Sequence, residues 1–124
     1  MRVWSAVAAD AACVVAFAAI GRRSHAAGLD LLGVASTAWP FLAGAAVGML
    51  AGRIWRDPTS LRSGVVVWLG TVAGGMLLRA ATGGGVQLSF VLVAATVLAV
   101  LLLGWRLLAR LVMRVRPVDA RDAR

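Results

Sequence analysis

WSAVAADAACVVAFAAIGRRSHAAG, residues 4–28, reads as an apolar helix with one carboxylate inside it, Asp10, and a basic turn carrying His25 at its far end. An ionisable residue within a membrane span costs a few kcal/mol on insertion scales, roughly 2.5–3.5, so Asp10 is a functional candidate by default. The other helices can be read as its housing. Arg2 and the apolar run suit a signal peptide, but Asp10 interrupts the apolar region and Arg22-Arg23 stands where small residues should mark cleavage. A lipoprotein signal fails as well, because Asp10 precedes Cys13 where a large apolar residue is needed. The first helix is therefore expected to stay in the mature protein.

Working outward, three more apolar runs have spanning length, at 31–52, 63–81 and 86–105. Each can cross a hydrocarbon core of roughly 30 Å at about 1.5 Å per residue. The chain has 124 residues and 61% hydrophobic content, against about 45–50% in soluble domains. Its mean hydropathy is +0.89. These features point to an all-α integral membrane four-helix bundle. The transmembrane domain is expected over residues 1–116, with spans near 4–20, 31–52, 63–81 and 86–105. The last helix should extend into the cytoplasm, and 117–124 should form a flexible polar tail.

The formal charge of +8 comes from arginine alone, since lysine and glutamate are absent. The absence of residues with AT-rich codons suits a GC-rich genome, so the preference for arginine says little about phosphate recognition. The basic groups cluster at membrane edges with no aromatic interleaving on a soluble face. That pattern indicates topology and anionic lipid, and excludes nucleic acid as a partner. Placing both termini in the cytoplasm puts ten arginines inside and leaves Arg22, Arg23 and Arg79 outside, which is the expected bias for the plasma (inner) membrane. The same bias argues against dual topology. Trp4, Trp55 and Trp105 then fall at the inner interface. The lone Cys13 reads as a small buried hydrophobe.

Within the second helix Pro40 removes an amide donor and clashes with the carbonyl of Ser36. A kink is expected there, with Ser36 and Thr37 absorbing freed backbone groups. Ser36, Thr37, Trp39 and Pro40 thus form a candidate substrate region, although a kink that serves packing alone is the simpler explanation. Asp30 suits the N-cap of this helix, and Asp57 with Pro58 suits the N-cap and first position of the third. Gly44, Gly48 and Gly52 make one narrow stripe, and Gly70 and Gly74 repeat the device on the third helix; the pattern predicts tight helix contact, within the bundle in preference to dimerisation. Beyond the fourth span Arg106, Arg110 and Arg114 recur every four residues, as a basic stripe on anionic lipid would.

Taken together, Asp10, Gly21-Arg22, Ser24-His25, Trp39-Pro40-Phe41 with Gly44, Gly75-Met76 with Arg79, and Gly104-Trp105-Arg106 resemble the pattern of an uncharacterised family of small four-helix membrane proteins of bacteria and archaea. The resemblance covers roughly residues 5–106. It implies the membrane architecture and supplies no activity.

Three candidate sites follow. Asp10 lies roughly 9 Å into the core, counted from Trp4 at about 1.5 Å per residue. Thr71 and Thr96 lie at a neighbouring depth. Arg79 is too far out to reach Asp10, and Arg106 is drawn towards water at the inner interface. With no cation expected nearby, desolvation favours a protonated Asp10 that donates to Thr71 or Thr96, forming a proton or cation site. The second candidate is the kink region. The third is an outer anion or lipid site of Arg22, Arg23, His25 and Arg79, to which the Gly83 to Gly85 turn could add backbone amides.

Enzyme activity is not expected, because one histidine, one cysteine and one intramembrane acid form no metal or triad cluster, and no cofactor is implied. Two functions stay open. One is a proton-linked transporter or permease using Asp10, similar in outline to the small multidrug-resistance transporters, which however use glutamate, act as dimers and lack this charge bias. The other is an accessory or scaffold subunit that joins a homo-oligomer or a larger membrane complex.

Overall fold

In a computed structural model of the chain, residues 2–24 and 30–115 are described, without the side chains of 23, 24 and 115. All regular structure among them is helical: α1 (Val3–Ser24), α2 (Leu31–Gly52), a 3-10 turn (Ile54–Arg56), α3 (Leu61–Ala81) and α4 (Leu88–Val115). Four helices are long and apolar enough to cross a membrane, the mark of a multi-pass membrane protein. Their contacts run in chain order, α1 on α2, α2 on α3, α3 on α4, with α1 closing against α4.

The α2–α3 contact is the most extensive, and the glycine stripes explain it. A methyl group added at Gly70 would lie 2.7 Å from the Gly48 Cα, and one at Gly74 would lie 2.8 Å from the Gly44 Cα. The two backbones touch, which only small residues permit. α2 continues through Pro40, which is buried.

The ends of the helices are set by local hydrogen bonds. Asp30 caps α2 as expected, accepting from the Gly33 amide at 2.8 Å. The expected cap of α3 is displaced by three residues. Ser60 is its N-cap, accepting from the Ser63 amide at 3.0 Å, while Asp57 closes the 3-10 turn. The reason is the turn itself, which uses Ile54 to Asp57 before α3 can start. The Asp57 carbonyl then accepts from the hydroxyls of Ser60 and Ser63. At the opposite end Gly83 adopts a left-handed φ of +86°, which favours glycine.

Candidate functional site

The buried face of α1 carries Ala6, Asp10, Val14, Phe17 and Ala18, a helical stripe in which Asp10 takes a core position. On α4 the corresponding stripe is Ala94, Leu98, Leu102 and Arg106. Two core stripes that each contain one charged residue of opposite sign face each other, and the charges meet. Both side chains are 0% exposed.

The contact is bidentate. Arg106 donates from Nη1 to Asp10 Oδ1 at 2.8 Å and from Nη2 to Oδ2 at 2.9 Å. Its Nε donates to the Pro58 carbonyl at 2.9 Å, and Nη1 also donates to the Leu102 carbonyl at 3.0 Å. Trp105 donates from Nε1 to Asp10 Oδ1 at 2.8 Å, and its ring lies 4.5 Å from the Arg106 Cζ. One guanidinium thus joins α1, the turn before α3, and α4. Planar two-point pairing of this kind suits arginine and not lysine.

Space for the clasp comes from Gly64 on α3. A methyl group there would stand 2.9 Å from the Arg106 Cδ and 2.7 Å from the Leu103 Cδ2. Deeper along the same seam the Cys13 thiol approaches the Leu101 carbonyl at 3.6 Å.

The expectation that no cation stands beside Asp10 is therefore corrected. The basic stripe on α4 is corrected with it: Arg106 faces the core, whereas Arg110 and Arg114 are exposed. Asp10 gives Arg106 a buried counter-charge, and among the described residues no ion pair holds Arg110 or Arg114. Trp105 turns its indole N–H to Asp10. Thr71 is buried but donates to the Val67 carbonyl at 2.7 Å, and Thr96 is exposed and donates to the Leu92 carbonyl at 2.8 Å. Neither hydroxyl is brought to Asp10.

The kink-region residues do not converge. Ser36 and Trp39 are exposed, Pro40 is buried, and Thr37 accepts from Arg22 Nη1 at 3.5 Å. Arg22 also pairs with Asp30 at 3.4 Å, whereas Arg79 turns to Gly85 and Phe90. The Gly83 and Gly84 amides are used at the end of α3, donating to the carbonyls of Ala80 and Arg79. His25 lies outside the described residues, as does 116–124, and the side chain of Arg23 is not described. No three histidine, cysteine or acidic residues come together among the described residues.

Chemically, the clasp holds an acid with both oxygens occupied and no net charge. Removing either partner would leave the other charge buried and uncompensated, a loss of about 3–5 kcal/mol. Sequence reasoning missed Arg106, Trp105, Pro58 and Gly64. The available signal was the continuation of Ala94, Leu98 and Leu102 to Arg106 at constant spacing.

No curated protein and no solved structure matches the chain. A family model does match it, over residues 7–109, a stretch that holds Asp10, Pro58, Gly64, Trp105 and Arg106. The chain belongs to the family described as Protein of unknown function (DUF3054).

Proposed function

We propose that this protein is a small proton-linked permease of the plasma membrane, with both termini cytoplasmic, in which Asp10 and Arg106 form a gate. The observation that carries the reading is the fully buried, bidentate pair between α1 and α4. A purely apolar seam would hold two helices together without the desolvation penalty of two charges, and replacing such pairs by apolar groups is often neutral or stabilising. An intramembrane pair whose release is tied to protonation has a use in proton coupling. The arginine bias supports the orientation, which sets the clasp near the cytoplasmic interface. Exposed Arg110 and Arg114 then lie among anionic headgroups.

The test is proton uptake by purified protein in liposomes under an imposed pH gradient. Wild type is expected to dissipate the gradient and Asp10→Asn to lose that activity while remaining folded. Full uptake by Asp10→Asn would end the proton-carrier role.

The accessory-subunit reading is favoured by a different observation. No buried side-chain nitrogen or oxygen lacks a partner among the described residues, as a static staple requires. On that reading Asp10→Asn still assembles with a stoichiometric partner from native membranes and wild type shows no proton uptake.

A further inference from the structure

The helices that are clasped at Asp10 and Arg106 part towards their other ends. Between them opens a cleft of about 480 Å³, within the range of roughly 300–1,000 Å³ typical of small-molecule sites. Phe17 of α1 and Phe90, Val93 and Val97 of α4 make its apolar walls. Phe17 and Phe90 also pack with Phe41, at ring separations of 5.2 and 6.2 Å, which braces these walls against α2. Along α4 the lining runs from Ser89 to Val97, about 12 Å at 1.5 Å per residue. Val93 is 57% exposed, so the cleft's edge faces the space that acyl chains fill in a bilayer.

The rim is polar and has one sign. Arg79, Gln87 and Ser89 lie there, and Arg79 is the one ionisable group in the lining. Arg79 is held in place without being neutralised. Its Nε donates to the Gly85 carbonyl at 2.6 Å and its Cζ sits 4.5 Å from the Phe90 ring centre. Neither interaction uses the Nη nitrogens, and no acid pairs with them among the described residues. A part-buried, positioned guanidinium with two free donor edges at the mouth of an apolar cleft is complementary to an anionic head on an acyl chain.

We infer that the cleft binds an anionic phospholipid of the surrounding leaflet, its phosphate on Arg79 and one acyl chain between Phe17 and Val97. This goes beyond the permease reading and concerns binding alone. Lipid retention by wild type without proton uptake would end the permease reading and leave the lipid site standing.

The experiment is native mass spectrometry of the full-length protein, purified in neutral detergent and offered phosphatidylglycerol and phosphatidylcholine in equal amounts. Wild type should retain phosphatidylglycerol selectively. Losing one charged hydrogen-bond donor set in Arg79→Gln should weaken retention about tenfold or more. Val93→Trp, at an exposed position, should fill the cleft and displace the lipid with Arg79 intact. Leu50→Ala, at an exposed position on α2, should change nothing. Unaltered retention in both Arg79→Gln and Val93→Trp would overturn the site. Equal retention of phosphatidylcholine would overturn the role of charge, and retention of added oleate in place of phosphatidylglycerol would overturn the assignment to a bilayer lipid.

Discussion

The bundle has two seams of opposite character. Along α2–α3 the glycines let backbone lie on backbone, the contact is the most extensive in the molecule, and it needs no charged group. Along α1–α4 contact is sparser; a buried ion pair holds one end and a cleft opens at the other. Close backbone packing has many small terms and no single release point. An ion pair concentrates the holding energy in a few bonds that one proton can disturb. On the permease reading proposed above, α2–α3 is the fixed frame and α1–α4 the moving part.

The strongest way to break this contrast is to strip the clasp of one partner. Arg106→Ala leaves Asp10 buried without its cation and is expected to lower stability by about 3–5 kcal/mol, read as the unfolding midpoint in detergent. Removing both charges sharpens the point. Asp10→Leu combined with Arg106→Met should return stability to within about 1 kcal/mol of wild type, yet abolish proton uptake. If the double variant stays as unstable as Arg106→Ala, the loss was packing and not charge.

The frame seam should respond differently. Gly70→Val drives a side chain into the Gly48 backbone, so α2 and α3 must separate, with a loss of about 3 kcal/mol. No second-site change on α1 or α4 should restore it. Smaller still, Trp105→Phe keeps the ring over Arg106 and removes one hydrogen bond to Asp10. It is expected to cost about 1.5–3 kcal/mol, as for bonds to charged groups. Asp30→Ala, which removes an exposed cap far from either seam, should cost about 1 kcal/mol and leave uptake untouched.

Much of the frame was legible from residue type. Apolar run length set the four helices, Asp30 announced the start of α2, and glycines repeating every four residues announced tight helix contact without naming the pair. These signals are local. The clasp was not legible because its partners lie 96 residues apart, and because an arginine near a helix end has two good fates, water or a buried acid. Arg106, Arg110 and Arg114 share a spacing that suggested one shared face. Only the packing of α1 against α4 separates the first from the other two. The Asp57-Pro58 pair misled in a similar way, since its cap-like chemistry is overridden by the 3-10 turn, and the free Pro58 carbonyl becomes an acceptor for Arg106.

Distances measured across both seams in the same membrane test the account most directly. With Cys13→Ala as background, spin labels at exposed Ser5 and Leu108 report on α1–α4, and labels at exposed Leu50 and Val65 report on α2–α3. Pulsed electron resonance in liposomes gives each distance distribution. In Asp10→Asn the α1–α4 distribution is expected to lengthen and broaden while the α2–α3 distribution keeps its wild-type form. An α1–α4 distance unchanged by Asp10→Asn would contradict the gate and make the pair a fixed staple.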